Sequence, residues 1–269
     1  MNTQTPAKIL ALLERHGVRP RKMFGQHFLA DRNLIDKVVA LADVAPGDRV
    51  VEIGAGTGAL TIALIERGAR VVAYEVDEAL RPVLEETVAD LPVDLRFADV
   101  MEVDLDAELE GSPWNMVANL PYNVGTPLLL DVLLHVPRIE SMTVMVQSEV
   151  AERLIARPGT GVYGLPSVIV GLAGRPVDSF KVPPQVFVPP PQVSSTVVRI
   201  DRRPMPEGTP AAVELARRAF GQRRKMLRRS LSEVVPVGAY SRAGISPTAR
   251  PEALSPLEFL RLAEATADV

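Results

Sequence analysis

Arg49-Val50-Val51-Glu52-Ile53 runs directly into Gly54-Ala55-Gly56-Thr57-Gly58-Ala59, and the fold class follows from that junction. The first five residues read as a buried strand, the glycines as a tight turn, and residues 60–67 as a helix. Strand, glycine turn and helix make half of a nucleotide-binding unit, because glycines let the backbone approach a ligand where a side chain would block it. Residues 70–75 then form a second strand ending in Glu75, about 20 residues past the glycines, the distance at which a carboxylate accepts ribose hydroxyls. Asp77 starts another helix. The rhythm repeats with strands over 93–97, ending at Ala98-Asp99, over 114–118, ending at Asn119, and over 142–146, ending at Gln147. The spacing predicts an α/β chain with an open, Rossmann-like parallel sheet. Carboxyl ends of parallel strands share one edge, so Gly54, Glu75, Asp99 and Asn119 are expected together at a ligand crevice.

Toward the N-terminus, residues 6–17 suit a short amphipathic helix carrying Ile9, Leu12 and Leu13, and Arg19-Pro20-Arg21-Lys22 breaks it with a basic cluster. Met23–Leu29 is irregular, and Asp31 can cap a helix over 33–42. Past Pro158-Gly159-Thr160-Gly161 the pattern changes. Ser167–Leu172 and Val193–Ile200 read as strands flanking Val182–Pro191, a proline-rich run too poor in amide donors for a central strand and so a rigid loop around Phe187. Residues 202–210 look like a linker, and from Ala211 onward the chain reads helical. The expected division is a Rossmann-like domain over 1–203, with 1–45 as N-terminal extension and helix, and a small all-α C-terminal domain over 204–269.

Composition narrows the function classes. The 269 residues are 47% hydrophobic and 23% charged, ordinary for a globular chain. With no cysteine, disulfides, thiolate metal sites and a cysteine nucleophile are excluded, and three scattered histidines make no metal site. No apolar run reaches the roughly 20 residues of a membrane span, and the first 17 residues lack the order of a signal peptide. A cytoplasmic, metal-free monomer is expected. The net charge of -3 conceals an uneven distribution. Between Ala211 and Val235 stand Arg217, Arg218, Arg223, Arg224, Lys225, Arg228 and Arg229 against only Glu214 and Glu233. Such a face suits an anionic polymer.

The most informative short stretch is Asn119-Leu120-Pro121-Tyr122. A strand-to-helix turn ordinarily uses Gly, Asp or Asn. Here an amide able to accept from an amine, a stiffening proline and a phenol ring follow one another. By themselves these residues also suit a proline-stiffened turn with a half-buried tyrosine. Two ligands fit the glycine turn. Gly54, Gly56 and Ala59 satisfy a dinucleotide fingerprint, which keeps an NAD-binding dehydrogenase in view. S-adenosylmethionine, which lacks a pyrophosphate and carries cationic sulfonium and amino groups, better suits an acidic crevice.

Phe24-Gly25-Gln26-His27-Phe28-Leu29, Val51–Thr61, Asn119-Leu120-Pro121-Tyr122-Asn123 with Thr126-Pro127-Leu128, Gln147-Ser148-Glu149-Val150, Tyr163-Gly164 and Phe187–Ser195 together resemble the small-subunit rRNA adenine N6-dimethyltransferase (KsgA/RsmA) family. The resemblance covers roughly residues 20–235. It implies S-adenosylmethionine as methyl donor and two adjacent adenines near the 3′ end of small-subunit rRNA, within a 30S assembly particle, as substrate. It places donor contacts on His27, Leu29, Gly54, Gly56, Glu75, Asp99 and Asn119, with Glu75 on the ribose and Asp99 on the adenine amine. His27 departs from the Asn often found there, and Leu165-Pro166 stands where relatives often show Arg-Leu.

On this reading Asn119 and the Leu120 carbonyl accept the two hydrogens of a target amine, Pro121 holds the turn, and Tyr122 and Phe187 stack on the extracted base. Alignment carries much of the catalysis, because sulfonium is already an excellent leaving group. RNA is expected at Arg21, Lys22, Arg217, Arg223, Arg224, Lys225 and Arg228, the later ones on a single helix whose apolar side is Val213, Ala216, Phe220, Leu227, Leu231 and Val234. Two other readings stand beside this one. One is a large-subunit rRNA adenine methyltransferase of the macrolide-resistance type, and the other an RNA-binding assembly factor with incidental catalysis.

Overall fold

A computed structural model describes residues 4–121 and 124–267, with the side chain of Lys22 left outside the description. Its strands are β1 (Phe28–Leu29), β2 (Arg49–Ile53), β3 (Arg70–Glu75), β4 (Val93–Phe97), β5 (Trp114–Asn119), β6 (Ile139–Gln147), β7 (Gly174–Val182), β8 (Phe187–Val188) and β9 (Ser195–Arg202). The main sheet has the order β4-β3-β2-β5-β6-β9-β7, and β1 pairs with β8 in a separate two-stranded sheet. Strands β4, β3, β2, β5 and β6 run parallel, and β9 pairs antiparallel with β6. Val50, Val51, Glu52 and Ile53 of β2 are all buried, as expected of a central parallel strand covered on both faces.

Helices α1 (Pro6–Arg15), α2 (Arg32–Ala42), α3 (Ala59–Glu66), α4 (Arg81–Val88), α5 (Leu105–Glu108) and α6 (Gly125–His135) fill the first half of the chain. Asp31 caps α2 by accepting the Leu34 amide at 2.8 Å. Ile35, Val38 and Val39 of that helix join Val50, Val117 and Leu64 in the core. The C-terminal carbonyls of α6 are gathered by Arg202 of β9. Its guanidinium donates to the oxygens of Val132, Leu133 and Val136, and to that of Ile139 just beyond. The Leu133 oxygen would otherwise face Pro137, which has no N–H, so the cation satisfies a carbonyl that the helix end leaves orphaned.

The remaining helices are α7 (Ser148–Leu154), α8 (Leu165–Ala173), α9 (Thr209–Gly221), α10 (Leu227–Ser230), α11 (Val237–Ala243) and α12 (Pro256–Ala267). The chain divides into one unit of residues 1–151 and 176–202 and a second of 152–175 and 203–269. Two expectations change here. Ser167–Leu172 is helical, not a strand, and it brings residues 152–175 into the helical unit. A short apolar run does not distinguish strand from helix by period, whereas Pro166 in the first turn and the Gly164 amide donating to Ser167 Oγ mark a helix start. Gly171 is where α8 meets α12, since a Cβ there would stand 2.4 Å from Pro256 Cγ. The basic run is likewise not one helix, because α9 ends at Gly221 and α10 begins at Leu227.

Candidate active site

The parallel strands deliver their carboxyl ends to one edge, and a cavity of about 690 Å³, open mouth included, lies there. Gly54, Gly56, Glu75, Asp99 and Asn119 line it, with Phe24–Phe28 and Pro121. Gly54 has φ +82°, and a Cβ on it would stand 3.3 Å from the Asn119 carbonyl oxygen. A side chain would therefore be strained by its backbone and crowded by β5. At Gly56 an added Cβ would stand 3.1 Å from Phe28 Cδ1, so that ring packs directly on the glycine turn.

Glu75 is buried, its Oε2 accepting the Gly56 amide at 2.8 Å and its Oε1 the Asp77 amide at 2.9 Å. Burial raises its carboxyl above the ordinary range, and those backbone amides pull in the opposite sense. Each carboxylate oxygen has two lone pairs, so capacity for ribose hydroxyls remains. Asp99 caps the turn at Val100–Glu102, its Oδ1 accepting the Met101 amide at 2.9 Å. Val76 and Met101, both exposed, add apolar lining to the cavity. Neither carries a site signal in the sequence, although each lies within two residues of a strand-end acid.

Below the glycine turn, Glu52 is completely buried, and neither carboxylate oxygen meets a hydrogen-bond partner among the described residues. Desolvation pushes its carboxyl up to about 8; the Thr61 hydroxyl nearby opposes part of that rise, and the charge of Glu75 adds to it.

Asn119 ends β5 and donates its side-chain amide to the His27 carbonyl oxygen. The Leu120 amide donates to Met145 O at 3.1 Å and that of Gly125 to Pro121 O at 2.8 Å, fixing the turn at both ends. Gly125 permits this, since a Cβ there would stand 2.8 Å from Leu120 Cβ. Tyr122 and Asn123 lie outside the described residues.

Several expected contacts are placed differently. His27 stays in the cavity lining, where its ring bonds Pro189 O through Nδ1 at 2.7 Å and its backbone oxygen accepts from Asn119. Leu29 is buried in β1 and does not line the cavity, whereas its neighbour Phe28 does. Phe187, expected to stack on a base, is 3% exposed in the core and pairs with Leu29 across β1 and β8. Its proline neighbours set it in a short buried strand and leave no free ring face. Arg21 spends one guanidinium nitrogen on Asp77. In the helical unit Arg217, Arg224, Lys225 and Arg228 are exposed, while Arg223 is half-buried and donates to Gly161 O at 2.8 Å. Among the described residues no helix is long and apolar enough to cross a membrane, and no group of His, Asp or Glu could hold a metal ion.

The family model described as ribosomal RNA adenine dimethylase matches residues 17–268. The chain belongs to that family. A ribosomal RNA small subunit methyltransferase A of Phenylobacterium zucineum is 44% identical over 98% of this chain and 94% of its own length. One from Caulobacter vibrioides is 47% identical over 91% and 97% respectively. Among solved structures, a dimethyladenosine transferase from Plasmodium falciparum shares the fold, with TM-score 0.75 and 23% identity over 88% of this chain and 96% of that one. The 23S rRNA methyltransferase ErmE gives TM-score 0.66 and 29% identity over 89% and 99%. As a family member the chain is an S-adenosylmethionine-dependent rRNA adenine methyltransferase. The cavity fits that donor. It offers a glycine cradle that a Cβ would fill, carboxylates at two strand ends, and apolar walls.

Proposed function

We propose that the chain dimethylates the N6 amines of two adjacent adenines near the 3′ end of small-subunit rRNA, acting as a cytoplasmic monomer on a 30S assembly particle. The observation that supports it most is Asn119 at the tip of β5, on the rim shared with Gly54, Glu75 and Asp99. Gly54 and Gly56 would admit the methionine end of the donor, Glu75 its ribose and Asp99 its adenine amine, with Val76 and Met101 against the ring. S-adenosylmethionine supplies a methyl group activated by sulfonium.

The protein's own part is alignment. Asn119 Oδ1 and the Leu120 carbonyl accept the amine hydrogens and favour a pyramidal nitrogen whose lone pair is no longer delocalised into the ring. Placing that nitrogen is worth orders of magnitude in rate. Tyr122 offers a ring for the extracted base. Exposed Arg217, Arg224, Lys225 and Arg228 offer cations to phosphates, a contact that positions RNA without reading its sequence.

Methyl transfer from labelled donor to 30S particles and, in parallel, to 23S RNA, with the modified bases mapped, tests this reading. Label on two neighbouring adenines of the small-subunit RNA is expected. The likeness to ErmE favours a second reading, large-subunit methylation, and label confined to 23S RNA would establish it. Glu75→Ala should abolish donor binding and leave RNA affinity intact.

A further inference from the structure

Asp77 stands two residues past Glu75, is 1% exposed, and does not line the cavity. Its Oδ1 accepts from Arg21 Nη1 at 3.0 Å and from the Ala79 amide at 3.1 Å. Its Oδ2 accepts from Gln26 Nε2 at 2.8 Å, and its own amide donates to Glu75 Oε1 at 2.9 Å. Gln26 Oε1 in turn accepts the Arg21 amide at 2.7 Å. One buried carboxylate thus joins two walls of the cavity that are remote in sequence, the segment 24–27 and the turn at 75–76. A cap for the turn at Glu78–Leu80 needs only the bond to Ala79. The bonds to Arg21 and Gln26 go beyond that need, and a buried acceptor is strongest when every lone pair it turns inward is used.

We propose that Asp77 is a positioning residue for the methyl donor: it clamps the strap of Arg21–His27 onto the turn that carries Glu75, so that both walls of the donor cavity are set before the donor arrives. Arg21 is then a structural cation of this clamp before it is a phosphate contact. The clamp rests on the cavity being the donor site.

Calorimetric titration of S-adenosylmethionine into the full chain tests it. Asp77→Asn keeps an oxygen for Arg21 and Ala79 but turns an amide toward the Gln26 amide, a donor facing a donor. Donor Kd should rise about tenfold, and donor KM should rise while kcat at saturation stays within about twofold, because preorganisation is lost and not chemistry. The double variant Q26E/D77N reverses that bond: the new amide at position 77 donates, the new carboxylate at position 26 accepts, and a negative charge stays beside Arg21. It should return Kd to within about threefold of the parent value. Arg21→Met, at a half-exposed site that folding tolerates, should raise Kd severalfold. A cap alone would leave D77N and R21M at the parent affinity, and that result, or a double variant no better than D77N, overturns the clamp. Parent protein that fails to bind the donor overturns the reading of the cavity together with the clamp. Tight binding by the parent and D77N alike overturns the clamp only.

Discussion

The side-chain amide of Asn119 donates to the backbone oxygen of His27 at 3.0 Å, across 92 residues of chain. A carbonyl oxygen can only accept, so the bond fixes which end of the amide faces which way. Nδ2 is held on the strap, and Oδ1 is the end that can receive an amine hydrogen. The strap that lines the donor cavity therefore also orients the group expected to bind the acceptor base.

Replacing Asn119 by Ala removes the acceptor, and replacing it by Asp sets an anion against the His27 oxygen. Either change should lower kcat at least about 100-fold, roughly 2.7 kcal/mol of transition-state stabilisation. Single-turnover methyl transfer on 30S particles measures it, and a variant retaining a tenth of the parent rate would refute the assigned role.

Gly125→Ala probes the other end of the same turn. The new Cβ would sit 2.8 Å from Cβ of Leu120, a side chain 1% exposed and unable to yield cheaply. The turn must shift, and the Leu120 carbonyl with it. Expected are a loss of about 1–3 kcal/mol of stability from overpacking and a fall in kcat of about tenfold or more. Denaturant titration and turnover measure the two effects, and a fully active variant would free the Leu120 carbonyl from its role.

Glu52 makes stability depend on pH. Its folded value, about 8, lies above that of an unfolded glutamate, so the folded state holds the proton more tightly. The contribution is fully present below the unfolded value near 4.5 and is lost as pH rises through about 8. Over that window the loss is on the order of a few kcal/mol. Glu52→Gln keeps the neutral shape, should abolish the decline, and should be the more stable protein at pH of about 9, beyond the folded value. Urea midpoints across that window decide it; equal slopes for parent and variant would show that Glu52 stays ionised.

Arg202→Met should destabilise the sheet unit by about 2–4 kcal/mol, because it removes the guanidinium's bonds to Val132, Leu133, Val136 and Ile139 and leaves the Leu133 oxygen, which faces Pro137, without a donor. Thermal melting of the purified variant measures it. A change below about 0.5 kcal/mol, the level of an ordinary surface substitution, would show that water replaces the arginine.

Local patterns make the donor crevice legible. A buried run followed by glycines turns sharply beneath a ligand, and strands of a parallel sheet end on one edge, so spacing alone places Gly54, Glu75, Asp99 and Asn119 together. The walls Val76 and Met101 follow from the same strand ends, but an exposed apolar residue carries no periodic signal. Ser167–Leu172 reads as a strand in the sequence because its apolar residues are covered on all sides as a helix, which erases the 3.6-residue period that would reveal it.

The parallel sheet, its glycine turn and the acids at its edge are written in short stretches of chain, because strand period and glycine freedom are properties of a few adjacent residues. That Phe187 faces the core, that Arg21 and Gln26 meet Asp77, and that the Asn119 amide is turned by His27 emerge from the assembled fold alone. Those outcomes depend on which distant segment arrives beside a side chain, and hydrogen-bond donors and buried surface find their partners only once the sheet has brought them within reach.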